Sequence, residues 1–507
     1  MEEKWKTPAG TAAICALICG FVTHMYALVN TMHNYDDIAV QPNGVGGAMR
    51  LGRWLLEGLG ALWRYLGWNF NLTWLNGVLF LLLLAASAGV LCLALQIRNR
   101  YLAALMGMLF VVFPTAVSSL VFRYTSIPYG IGIGLAVGAC WALPRRRGLL
   151  LSAGLICLSL GVYQAYLPMT VGIFVLSILR RNLMGEADPV TLIREGLKAC
   201  AAIVLGVAAY YVIMRLSVRV SGIELASYQG VSSMGSAGLR RMPQLIARAF
   251  TQCLTFAADN YCNLADSRMI RLAYGVLTAL SAVMTGVLLI RGGKRPLSWA
   301  LTAFLILAFP VAVNFIVVMS PDAHIYTLMQ YAFVLVGCVP LVLLDCLGAE
   351  EPGKYGKLLR RGVCLFAGLL VFGYVYSANL NYTANYYYTR QTENYMNSLM
   401  TQVRMSEGFT PDKSWAFIGN INDPMLSGVW SGVRTNGGIA KPGSLVNAYS
   451  RTEWFDVYLA CHVEVEDPEV AAALAQTEEV KAMPCWPSKG SIRVIGDTVV
   501  IKCQNVE

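Results

Sequence analysis

Two adjacent carboxylates, Asp36 and Asp37, stand in "MHNYDDIAVQPNGVGGAMRLGRW", residues 32–54, beyond an apolar run that begins near Ala9. A Gly-rich stretch follows them, then Arg50 and Arg53. A carboxylate can take the proton of a hydroxyl, and an arginine can steady charge that develops on a phosphate. A reaction between a lipid-linked phosphate and a hydroxyl acceptor needs both kinds of group at one membrane edge. Adjacent residues on a loop point in different directions, so one carboxylate at most would meet the acceptor. Asp37 is preferred as that base, although the sequence offers no firm way to choose. The other carboxylate would orient the acceptor, bind a metal or cap the next turn.

The arginines belong to "AMRLGRWLLEGLGALWRYLG". At about 100° per residue, Arg50, Arg53, Glu57 and Arg64 fall on one stripe, and Leu51, Leu55, Leu59, Leu62 and Leu66 fall opposite. The pattern predicts a helix lying in the membrane interface, its cationic stripe at headgroup depth. Arginine suits phosphate there because its planar fork donates two hydrogen bonds. A solvated acidic loop followed by a snorkelling helix would carry the same pattern.

The elements that hold these groups are apolar. The chain has 507 residues, 56% hydrophobic and only 13% charged, about half the charge of a soluble domain. Eleven stretches read as spans, at about 9–30, 73–96, 102–121, 127–143, 149–163, 166–180, 199–217, 272–290, 298–318, 328–346 and 363–379. The first reads as a retained span, because no small-residue cleavage site follows it. The net charge is +10. Its basic residues cluster at the ends of apolar runs, so they set orientation and imply no nucleic-acid partner. Lys4, Lys6, Arg98, Arg100, "PRRRG", Arg180, Arg181, Arg194, Lys198, "RGGKRP", Lys354, Lys357, Arg360 and Arg361 all fall in alternate connections. A cytoplasmic N-terminus therefore puts Asp36 and Asp37 outside. The expected fold is an all-α polytopic membrane protein with a small extracytoplasmic C-terminal α/β or α+β domain. Residues 1–379 form the membrane domain, with outer loops at 31–72 and 218–271, and residues 380–507 form the C-terminal domain. In that domain "SWAFIGNI" reads as a strand and "GSIRVIGDTVVIKC" as a hairpin turning at Gly496-Asp497. Cys461, Cys485 and Cys503 share it, and a disulfide among them is open. The other cysteines are scattered in spans and show no metal-ligand spacing.

Further polar groups collect at the outer ends. Arg123 ends the third span, where an outward arginine invites a phosphate or carboxylate partner. Tyr163, Gln164 and Tyr166 of "YQAY" fit an aromatic belt, with Gln164 able to bind a sugar hydroxyl. Asp322 and His324 of "SPDAHIY" could hold a divalent cation or assist proton transfer, although a lone Asp-x-His is weak metal evidence.

At this point the chain resembles the polytopic bacterial glucosyltransferases related to phage O-antigen-modifying, serotype-converting enzymes, of the GT-C architectural class. The resemblance rests on "NYDDIAV" and "RLGRW", with "GVYQAYLPM", "ASYQGVSSMG" and "MPCWPSKGSIRVIGDTVVIK" in support. It implies a polyprenyl-phosphate sugar donor, a cell-surface glycan acceptor, and work on the outer face of the cytoplasmic membrane. It also implies an acidic base in the first outer loop, the position of Asp36 and Asp37. Competing functions are a polysaccharide polymerase and a flippase or transporter for a lipid-linked glycan. A transporter places polar groups at mid-membrane, whereas the spans here are nearly free of central charge.

Overall fold

The structure of the protein, a computed structural model, describes residues 7–40, 47–68, 71–226, 238–292, 296–348, 354–421, 429–439 and 441–505. Most of the Gly-rich stretch after Ala39 and of "ASYQGVSSMG" lies outside the described residues.

Sixteen helices carry the argument: α1 (Pro8–Val29), α2 (Tyr35–Ala39), α3 (Trp54–Tyr65), α4 (Thr73–Ala94), α5 (Arg100–Val112), α6 (Pro114–Val121), α7 (Arg123–Ala142), α8 (Gly148–Val162), α9 (Leu167–Met184), α10 (Pro189–Ser221), α11 (Met242–Asp259), α12 (Arg268–Arg291), α13 (Pro296–Val313), α14 (Ile316–Met319), α15 (Val334–Leu347) and α16 (Lys354–Arg404). Among the described residues eight helices are long and apolar enough to cross a membrane. A ninth candidate is the pair α5 and α6, bent by 40°. Two further apolar helices, Gly148–Val162 and Tyr331–Leu347, are shorter. The protein is thus a helical membrane protein with a small sheet.

The third stretch differs from its expected form as one straight span. Pro114 begins α6, and a proline lacks the N–H that would continue α5. The chain breaks again at Phe122, so Arg123 starts α7 instead of ending the preceding helix. Close packing comes from small residues: a Cβ on Gly107 of α5 would lie 2.3 Å from the Ala12 carbonyl of α1.

The last helix is longer than its apolar core. α16 runs for 51 residues, about 75 Å at 1.5 Å per residue. The boundary expected at residue 379 falls inside it. Its polar residues explain the continuity, because they are used for packing. The Tyr382 hydroxyl lies 2.6 Å from His24 Nδ1 of α1, and Thr389 Oγ1 accepts the His33 N–H at 3.0 Å. Asn381 Oδ1 accepts the Asn436 N–H at 2.7 Å.

Beyond α16 lie β1 (Ser414–Ile418), β2 (Ile492–Ile495) and β3 (Thr498–Lys502), in the order β1-β3-β2. β1 runs parallel to β3, and β2 pairs with it antiparallel. The hairpin turns at Gly496, φ 61°. A core of Trp415, Phe417, Trp454, Phe455, Val499 and Ile501 joins Met396 and Leu399 of α16, and Ile38 of α2 enters the same cluster. The cysteines of this region, Cys461, Cys485 and Cys503, are free.

Candidate active site

Asn34 starts α2, its side chain accepting the Asp36 N–H at 2.8 Å. The same amide donates to the Gly438 carbonyl, and the His33 ring lies 4.1 Å from that of Tyr458 and 5.4 Å from that of Trp454. A five-residue helix cannot hold itself, so these contacts with the C-terminal region fix it. Successive residues on a helix differ by about 100°, and the two carboxylates part accordingly.

Asp37 turns inward and is only 3% exposed. Its Oδ2 accepts the Arg123 N–H at 3.2 Å and its Oδ1 the Tyr124 N–H at 3.0 Å. It therefore caps α7, whose first N–H groups have no partner within the helix. Burial pushes its carboxyl up to about 7, against the pull of these donors and of Arg123. Asp36 is half-buried and takes neither a side-chain hydrogen bond nor an ion pair among the described residues. Burial raises it to about 6, and the charge of Arg53 opposes that rise.

Arg53 owes its place to a break. Ala48–Leu51 form a 3-10 turn that ends at Gly52, φ 70°, a backbone that favours glycine. The expected continuous stripe is thus divided: Arg53 turns inward and Arg50 stays exposed. Arg64 pairs with Glu57 at 3.5 Å. Gln164 secures the break, its Nε2 donating to the Leu51 carbonyl at 2.8 Å and the Tyr210 hydroxyl at 2.9 Å. That hydroxyl donates to the Gly52 carbonyl at 3.1 Å. Gln164 is therefore a positioning residue for Arg53.

The Arg53 guanidinium lies 4.5 Å from the Tyr163 ring centre, and its Nη1 is 3.4 Å from the Tyr129 hydroxyl. Its Nε is buried without a hydrogen-bond partner among the described residues, as are the hydroxyls of Tyr163 and Tyr166. These tyrosines are buried, Tyr163 stacked on Tyr129 and Tyr166 edge-on to both, instead of forming a lipid-facing belt. Tyr124 and Tyr326 also face the guanidinium. Arg53 forms no ion pair with a described residue. Arg53 is half-buried, with the Asp36 charge near it but not in contact, so its guanidinium N–H groups are left able to take an anion.

Arg123 is buried nearby, its Nη2 donating to the Ala27 carbonyl at 2.9 Å. Asp322 and His324 are exposed, with Asp322 3.8 Å from Arg241. Tyr326, two residues on, is the part of that connection that reaches Arg53. Among the described residues no group of three His, Cys, Asp or Glu side chains could hold a metal ion. Sequence reasoning missed Tyr129, Tyr326 and Tyr449, and it named Tyr124 only as ending the third span beside Arg123. In a chain with 25 tyrosines, no spacing singles them out.

Fold and site together define a multi-helix membrane protein in which two carboxylates, two arginines and a cluster of tyrosines lie close together. The family model described as Glucosyl transferase GtrII matches residues 25–337, more than half of the chain. The protein belongs to that family and is a membrane glycosyltransferase, which implies a sugar donor and a glycan acceptor. No curated protein and no solved structure matches the chain.

Proposed function

We propose that the protein moves a hexose, glucose by the family's description, from a polyprenyl-phosphate sugar to a cell-surface glycan. The reaction takes place on the outer face of the cytoplasmic membrane. In this reading the bundle has the GT-C architecture with eleven spans, a cytoplasmic N-terminus and an extracytoplasmic C-terminal domain. The Lys/Arg alternation supports that orientation. The observation that supports the chemistry is the Asp36 carboxylate, which takes no hydrogen bond from a described residue, near a half-buried Arg53 that forms no ion pair with a described residue.

Asp36 takes the proton of an acceptor hydroxyl as that oxygen bonds to the anomeric carbon. The bond from that carbon to the phosphate oxygen breaks on the far side, which inverts the centre. The phosphate leaves with the electron pair and is held by Arg53, with the phenols of Tyr129, Tyr163 and Tyr166 as further donors. Asp37 and Arg123 fix α2 against α7 and so aim Asp36. A carboxyl near 6 is well placed for a base at neutral pH.

Two arms of one experiment test the donor and the side. Purified protein should move label to envelope polysaccharide from polyprenyl-phosphate glucose and not from a nucleotide glucose. In right-side-out vesicles a C-terminal tag should be open to external protease. Use of the nucleotide sugar, or a protected tag, contradicts the reading.

The raised carboxyl also predicts a pH dependence. The base must be ionised, so kcat/KM should be steady above about 7 and fall as pH drops through about 6. An acid limb centred near the ordinary carboxylate value of about 4 would show that Asp36 is not the base.

A further inference from the structure

Tyr449 stands on a turn pinned from both sides. Its N–H donates to Asn447 Oδ1 at 2.9 Å, and the Ser450 N–H donates to the Asn447 carbonyl at 3.1 Å. The Ser450 hydroxyl accepts the Asn447 N–H at 3.2 Å and donates to the Leu445 carbonyl at 2.9 Å. The short helix that follows, Arg451–Glu453, packs on α2, and Trp454 and Tyr458 flank His33. The turn is thus tied to the helix that carries Asp36.

Despite that anchorage the Tyr449 side chain is left 58% exposed, whereas Trp454 and Phe455 are fully buried. A single exposed aromatic residue needs no explanation by itself. This one is distinguished by its neighbour. Partial burial, and after it the charges of Asp36 and Glu453, push the phenol's pKa up. The ring thus stands exposed on a fixed turn that leads straight into the helix packed on α2, which bears the half-buried Asp36. Arg53, held against Tyr129 and Tyr163, lies near that carboxylate on the membrane side, and the turn of Tyr449 lies beside α2 on the side of the C-terminal region.

A pyranose has an apolar C–H face and a polar rim. A tyrosine matches the face with its ring and the rim with its hydroxyl, and it has few rotamers to lose. We propose that Tyr449 is the stacking platform for the acceptor sugar, holding one pyranose face so that a rim hydroxyl meets Asp36. The proposal rests on the reading of Asp36 as the base. It places acceptor recognition outside residues 25–337, the part that the family model matches, and leaves the phosphate contact of Arg53 within it.

The test uses purified full-length protein, saturating polyprenyl-phosphate glucose and a titration of envelope polysaccharide. Y449A should raise the acceptor KM about tenfold, the size of one aromatic contact. The donor KM should not follow it. Y449F and Y449W keep a ring and should recover most of the lost affinity. An unchanged acceptor KM in Y449A overturns the proposal. So does a Y449F as impaired as Y449A, since the hydroxyl alone would then be at work. D36N is measured beside them. Normal transfer by D36N removes the base but leaves the Y449A titration to decide on stacking. An inactive D36N with an unchanged Y449A acceptor KM removes the platform alone.

Discussion

Asp36→Asn should lower sugar transfer by about 10²–10⁴-fold, the range that a general base contributes, while the donor lipid still binds. Asparagine keeps the shape of the side chain and loses its basicity. No described residue donates a hydrogen bond to the Asp36 side chain, so the change breaks no internal hydrogen bond among the described residues. Asp37→Asn makes the useful contrast. Both Asp37 oxygens accept N–H groups of α7. An amide nitrogen in place of one oxygen would face a donor, and a buried donor left unsatisfied costs about 1–3 kcal/mol. The Asp37 variant should therefore lose thermal stability first, with less effect on transfer per folded molecule. The reverse ranking, with transfer lost in Asp37→Asn and kept in Asp36→Asn at equal folded protein, would make Asp37 the base.

Arg53→Ala should reduce kcat/KM by about 10–100-fold, from the loss of a charge-assisted hydrogen bond of about 1.5–3 kcal/mol to the departing phosphate. Arg53→Lys should recover only part, since a point charge cannot reproduce the planar fork over Tyr163. Arg50→Ala makes a control, because Arg50 lies on the exposed side of the Gly52 break. Donor kinetics that are normal in a well-folded Arg53→Ala protein would turn this arginine into a membrane-interface anchor.

Much of this molecule could be read before it was folded. Each of the eleven apolar stretches coincides with a helix or a bent helix pair, although two of these helices are shorter than a usual span. The strands at "SWAFI" and the hairpin at Gly496 also lie where alternation and turn chemistry placed them. What failed was continuity and contact. Periodicity ran one helix through Gly52, because a repeat of apolar residues does not register a left-handed glycine. It likewise carried Arg123 onto the wrong helix, since the break at Phe122 leaves no polar signal in the sequence.

The choice between the two carboxylates was beyond reach for another reason. Asp36 and Asp37 are adjacent, and only the partner of each tells them apart. Asp37 meets the N–H groups of Arg123 and Tyr124, 86 and 87 positions on, whereas Asp36 takes no hydrogen bond from a described residue. The seating of α2 on Trp454, Tyr458 and Gly438 joins residues some four hundred positions apart. No local pattern encodes such a pairing. Hydropathy alone therefore separated the C-terminal region from the membrane bundle, whereas Ile38 buries itself in that region's core.

The most direct test is a single-turnover measurement with purified protein, labelled polyprenyl-phosphate glucose and excess envelope polysaccharide, with donor binding measured on the same samples. Wild type should move the label to the polysaccharide. Asp36→Asn should bind the donor with wild-type affinity yet transfer at least about a hundredfold more slowly. Transfer by Asp36→Asn at the wild-type rate would contradict the role of Asp36 as the base.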